Sequence, residues 1–122
     1  MKAKMVARGY GTLCGVSSVA GTRGLPDSGA YCASKAALTT FLESLRVDLK
    51  PLGVKVSTIA PGFIHTNLTK KNKGSMPFVI EASTAGEIFV KALIRGKKWI
   101  VAPWQYAWVI RLLRYMPIWL YD

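Results

Sequence analysis

Apolar positions along this chain follow two periods. Leu38, Phe41, Leu42, Leu45 and Leu49 stand at i, i+3, i+4, i+7 and i+11, which predicts one long amphipathic helix. Asp27 or Ser28 can cap its start, and Pro51 with Gly53 ends it. Residues 12–18 and Val54 to Ala60 are short apolar runs bounded by turn residues, the second stopped by Pro61-Gly62, and both predict strands. The segment 63–80 reads as irregular, with Gly74 and Pro77 as breakers. Residues 82–95 predict another helix, capped by Ser83 or Thr84, spaced by Ile88, Ala92 and Arg95, and closed by Gly96. Lys98 to Ala102 predicts a third strand, ended by Pro103. A last helix is expected over 104–116, interrupted by Pro117. Strands alternating with helices imply an α/β fold with a parallel sheet and right-handed crossovers.

Composition narrows the function classes. The 122 residues suit one domain, and 51% hydrophobic residues exclude a disordered or purely electrostatic chain. Lys and Arg outnumber Asp and Glu by 17 to 6, a net charge of +11. Those cations are scattered, with no zinc-finger or RNA-binding signature, so no nucleic-acid partner is expected. The basic start, Met1 to Met5, leads into no apolar signal segment, and no apolar run reaches the ~18 residues a membrane span needs. All four Trp (Trp99, Trp104, Trp108, Trp119) fall in the last 24 residues, with Tyr106, Tyr115, Tyr121, Arg111 and Arg114 among them. That mixture favours a tail, 104–121, in peripheral contact with a membrane interface over a role in core or dimer contact. A basic membrane-surface binding module is therefore one alternative for the whole chain. Cys14 and Cys32 make no disulfide framework and lack CxxC spacing, so a reduced, cytoplasmic chain without a metal site is expected. Cys32 is read as reachable by thiol reagents.

The candidate chemistry lies around the long helix. Tyr31 and Lys35 are four residues apart, hence on one face about a turn from each other. An ammonium beside a phenol favours the phenolate, as a general acid/base requires. Ser18 ends the first strand, so its hydroxyl should emerge at the carboxyl edge of the sheet, where open α/β folds bind ligands. His65, the one histidine, has no Ser/His/Asp order around it and reads as a loop residue.

Three segments together resemble the short-chain dehydrogenase/reductase family: Val16-Ser17-Ser18-Val19-Ala20-Gly21, Tyr31-Cys32-Ala33-Ser34-Lys35 and Ala60-Pro61-Gly62-Phe63-Ile64-His65-Thr66. A tyrosine-x-x-x-lysine pair alone is weak, but the serine thirteen positions before it and the strand-terminal proline-glycine make the match specific. The resemblance runs from about Gly11 to Leu68 and more loosely to Ala102. It implies that Tyr31 is the general acid/base and a cofactor contact, that Lys35 binds the nicotinamide ribose and assists catalysis by favouring the Tyr31 phenolate, and that Ser18 holds the substrate oxygen. It also implies that Pro61 and Gly62 shape the loop against the nicotinamide of NAD(P)(H), with Ile64 meeting its carboxamide and Thr66 its polar groups. A basic loop at Lys70, Lys71 and Lys73 would then be either solvated or a lid over the substrate. The implied partner is a small alcohol or ketone, of lipophilic character given the tail, and a full-length member would be a homo-oligomer.

The departures are as definite. The glycine-rich turn that cradles the pyrophosphate is absent, and with it the residue that selects NAD or NADP and the asparagine that completes the catalytic set. The expected architecture is the carboxyl-terminal part of a doubly wound parallel-sheet Rossmann fold: a partial oxidoreductase domain over 1–102 and an aromatic, basic helical tail over 103–122. Missing strands would leave a parallel edge open, at a cost in stability and a risk of aggregation. A non-catalytic remnant, or a fragment that docks on a partner supplying the other sheet half, is the rival expectation.

Overall fold

The computed structural model describes residues 2–65 and 76–121, and its elements keep the alternation of the sequence. In chain order they are α1 (Lys2–Arg8), β1 (Gly11–Val16), α2 (Gly29–Leu49), β2 (Val54–Pro61), β3 (Ile64–His65), β4 (Ile80–Glu81), α3 (Ala82–Ile94), β5 (Trp99–Ala102), α4 (Gln105–Tyr115) and α5 (Ile118–Tyr121). β1, β2 and β5 form a parallel sheet in the order β1-β2-β5, with Val16 opposite Ile59 and Ile59 opposite Ile100. This is the parallel α/β architecture the alternation implies.

α2 forms because 21 residues pass without proline, with glycine only at the first position and many Ala and Leu along it. Its stripe packs on the sheet: Leu42 and Leu49 join Val54 and Val56 in the core, flanked by Leu38, Leu45, Met5 and Val6. Phe41 does not join them and is 59% exposed. At 3.6 residues per turn it falls about 70° from the centre of the stripe, on its rim. The start of α2 also departs from expectation. Ser28 occupies the cap position but its side chain makes no capping bond, and Asp27 sits just outside at φ 56°. A 3-10 turn over Lys50–Leu52, with Pro51 inside it, carries the chain to Gly53. Gly53 is left-handed (φ 74°), and a Cβ there would lie 1.9 Å from the Gly9 carbonyl oxygen. Glycine meets both demands.

β2 is buried without a break from Val56 to Ala60, the signature of a parallel strand covered on both faces. β1 alternates instead, with Thr12, Cys14 and Val16 exposed. It also ends at Val16, two residues before the expected limit, although Ser17 N–H still reaches Ile59 O at 2.7 Å. The segment read as irregular contains β3 and β4, which pair in parallel through Ile64 and Ile80. β4 runs directly into α3, so Glu81 takes the cap position; Ser83 and Thr84 lie inside the first turn and do not cap it. α1 has no counterpart among the expected elements. Helix 104–116 begins with Trp104 as its cap and stops before Pro117, as expected. Lys70, Lys71, Lys73 and Thr66 lie outside the described residues.

Candidate active site

Ser18, Tyr31 and Lys35 come from the carboxyl end of β1 and the first turns of α2, and Pro61 and Gly62 from the end of β2. Ser17 and Ser18 leave β1 with different duties. Ser17 is buried, and its hydroxyl donates to Lys35 O at 2.9 Å. Its oxygen also lies 2.8 Å from Thr39 Oγ1. Because Ser17 has spent its one proton on Lys35 O, the Thr39 hydroxyl is the donor in that pair. The turn after β1 is thereby fastened to α2 at the lysine's own peptide. Ser18 caps a 3-10 turn over Val19–Gly21, its oxygen accepting from Ala20 N–H at 3.2 Å. That leaves the Ser18 proton available for a second acceptor. The hydroxyl bonds Ala20 rather than Tyr31, and Ser18 lines a cleft of about 480 Å³ with Thr22, Thr39 and Arg114, a lining that includes neither Tyr31 nor Lys35.

Tyr31 and Lys35 are brought together by one helical turn, as their spacing requires. The Lys35 ammonium lies 5.6 Å from the centroid of the Tyr31 ring, a cation–π distance. It donates to Val16 O at 3.1 Å, at the very end of β1, with two further N–H groups to spare. Tyr31 is 51% exposed, so its ring stands open to a ligand. Cys32, between them in sequence, is buried; its thiol is not the reachable one expected beside Tyr31.

Pro61 and Gly62 lie at the end of β2, with Gly62 N–H bonded to Ala102 O at 2.9 Å. A Cβ on Gly62 would come within 2.2 Å of the Tyr106 ring, so glycine is required for the loop to rest on that ring. Tyr106 is buried and donates its hydroxyl to Pro77 O at 2.7 Å. Phe63 and Phe78 meet it edge-on at 6.1 and 6.2 Å. Burial pushes the Tyr106 phenol above its ordinary value, and a backbone hydrogen bond at Phe63 pulls the other way. Ile64 sits in β3, beyond this loop.

Three residues of this neighbourhood carried no recognisable signal in the sequence. Ser17 is indistinguishable from Ser18 until the strand end turns one inward. Tyr106 reads as one more aromatic of the tail. Arg23, in a glycine-rich loop, donates to Leu113 O at 2.8 Å and Met116 O at 2.5 Å, and its guanidinium stacks 4.3 Å above the Tyr121 ring. Tyr121 in turn donates to Gly24 O. Arg23 thus satisfies the unpaired carbonyls at the end of α4 and ties the tail to the loop between Ser18 and Tyr31.

A family model described as short chain dehydrogenase matches residues 1–76. An uncharacterized oxidoreductase of Myxococcus xanthus is 48% identical over 119 residues, 98% of this chain and 47% of that protein. A 3-oxoacyl-(acyl-carrier-protein) reductase, FabG, of Rickettsia conorii is 41% identical over 68 residues, 56% of this chain and 28% of that protein. The chain spans about half the length of the first of these relatives. A crystal structure of a short chain dehydrogenase from Burkholderia cenocepacia in complex with NADP superposes with a TM-score of 0.80. It is 23% identical, covering 93% of this chain and 46% of that one, and shows the common fold. Among the described residues no helix is long and apolar enough to cross a membrane, and no three His, Cys, Asp or Glu are grouped to hold a metal.

Proposed function

Because the chain belongs to the short-chain dehydrogenase family, we propose that it carries the proton-transfer and ribose-binding portion of an NAD(P)-dependent oxidoreductase acting on an alcohol/carbonyl pair. The observation that carries the reading is the Lys35 ammonium, held between the Tyr31 ring and the last carbonyl of β1. The chain's own residues fit the nicotinamide-ribose end of such a cofactor. Lys35 has two uncommitted N–H groups to offer a vicinal diol, beside a half-exposed phenol. Pro61 and Gly62 offer the loop that the missing Cβ of Gly62 lets rest on the Tyr106 ring. When bound, the cofactor supplies or accepts the hydride.

Tyr31 gives its phenolic proton to the substrate oxygen in reduction and takes it back in oxidation. Ser18 donates its free hydroxyl proton to the same oxygen and stabilises the charge that develops there. Lys35 fixes the ribose and, one turn from Tyr31, presents a cation to the phenol. Ser17 holds the turn that carries Ser18 onto the helix that carries Tyr31. Trp99 and Ile110, which line the cleft beside Ser18, favour a substrate with an apolar body. A homo-oligomer is part of the same reading for a full-length enzyme.

The test is titration of the purified chain with NADPH and NADH, followed by fluorescence, with alcohol or ketone turnover measured alongside. Tyr31→Phe should cut turnover by about 10²–10⁴-fold. A well-folded sample with neither binding nor turnover would overturn the proposal.

A further inference from the structure

We infer that the outward face of α4, continued into α5, docks this protein onto an anionic lipid surface. At 3.6 residues per turn Trp104, Trp108, Arg111, Leu112 and Tyr115 fall within an arc of about 100°, and all five are exposed. Trp108 is 65% exposed, and Trp119 in α5 is 80% exposed. The opposite face of α4 is the one that packs: Tyr106 is buried, and Val109, Ile110 and Leu113 are partly so. Between Trp108, Leu112, Met116 and Leu120 runs an apolar groove of about 420 Å³. A contiguous apolar patch of this kind on a folded surface marks an interaction site rather than idle surface.

Its chemistry selects the partner. Residues 104–121 contain no Asp or Glu, and Arg111 is exposed within the outward arc, while Arg114 turns about 60° beyond it and lines the cleft beside Ser18. Tryptophan and tyrosine suit the headgroup level of a bilayer, and arginine forks suit lipid phosphates. A second copy seated on this face would bring Arg111 against Arg111 with no acidic residue of 104–121 to meet it, so charge opposes self-pairing here. An anionic surface meets the same face with complementary charge. α4 has 11 residues, far short of a span, so it lies in the interface plane with its apolar side down. Arg23 holds that face in a fixed attitude by capping α4 and stacking on Tyr121. The inference stands apart from turnover and requires no cofactor.

The experiment is co-sedimentation of the full chain with vesicles of phosphatidylcholine alone or mixed with phosphatidylglycerol, across a salt series. Binding should appear with the anionic vesicles and fall as salt rises. A Trp108→Ser, Trp119→Ser double variant should lose at least tenfold in affinity while its circular dichroism stays unchanged. Arg111→Glu, which removes no packed side chain, should weaken binding as well, and it remains informative if the tryptophan variant does not fold. Equal binding to both vesicle types would overturn the proposal, as would undiminished binding of the variants. A wild-type oligomer that these substitutions dissociate, without vesicle binding, would assign the face to a second copy and overturn it too.

Discussion

β2 and α4 are both rich in apolar residues and meet opposite fates. From Val56 to Ala60, β2 shows no side to solvent. α4 buries Tyr106 and leaves Trp104, Trp108, Leu112 and Tyr115 in water. The difference lies in what surrounds each element. β2 sits between two strands with α2 packed on it, whereas α4 has the sheet edge on one side only. Apolar content therefore does not report stability here; enclosure does. The same side-chain types hold the fold together in β2 and are left available for a partner in α4.

Three substitutions probe that contrast. Leu49 is 1% exposed and packs with Val54 and Val56, so Leu49→Ala should destabilise the chain by about 2–5 kcal/mol in urea unfolding. A loss far below that range would mean the enclosed region is not the source of stability. Arg23→Ala acts where the tail is tied down. Losing its bonds to Leu113 O and Met116 O should cost about 1–3 kcal/mol and speed proteolysis of α4 and α5 ahead of the sheet. Cleavage of tail and sheet at the same rate would show the two regions to be one cooperative unit. Trp108→Ser removes more apolar surface than Leu49→Ala yet should move the unfolding free energy by less than about 0.5 kcal/mol. A larger change would show that α4 is already covered in solution.

What the sequence disclosed follows the range of each interaction. The α2 stripe, the β-branched run of β2 and the stops at Pro51, Pro61 and Pro117 are local patterns, legible within one or two turns of chain. So is the placing of Tyr31 and Lys35 on one helix face, since a four-residue spacing is all it needs. α1 was silent because only Met5 and Val6 touch the core. β3 and β4 were silent because two-residue strands exist only through each other, across sixteen positions of sequence. Ser17, Tyr106 and Arg23 act across 18, 29 and 90 positions, distances at which no periodicity speaks. Phe41 shows the converse error, a residue that fits the helical repeat and still falls on its rim.

Gly53 also bears on how the gene can drift. It combines a left-handed backbone with a gap that the Gly9 carbonyl already fills. Every other amino acid brings a Cβ, so every missense change in that codon meets both obstacles at once. Positions such as Phe41 or Ile94, open to water, tolerate many replacements. A lineage that keeps this fold can therefore rewrite much of its surface while the Gly53 codon is confined to synonymous change.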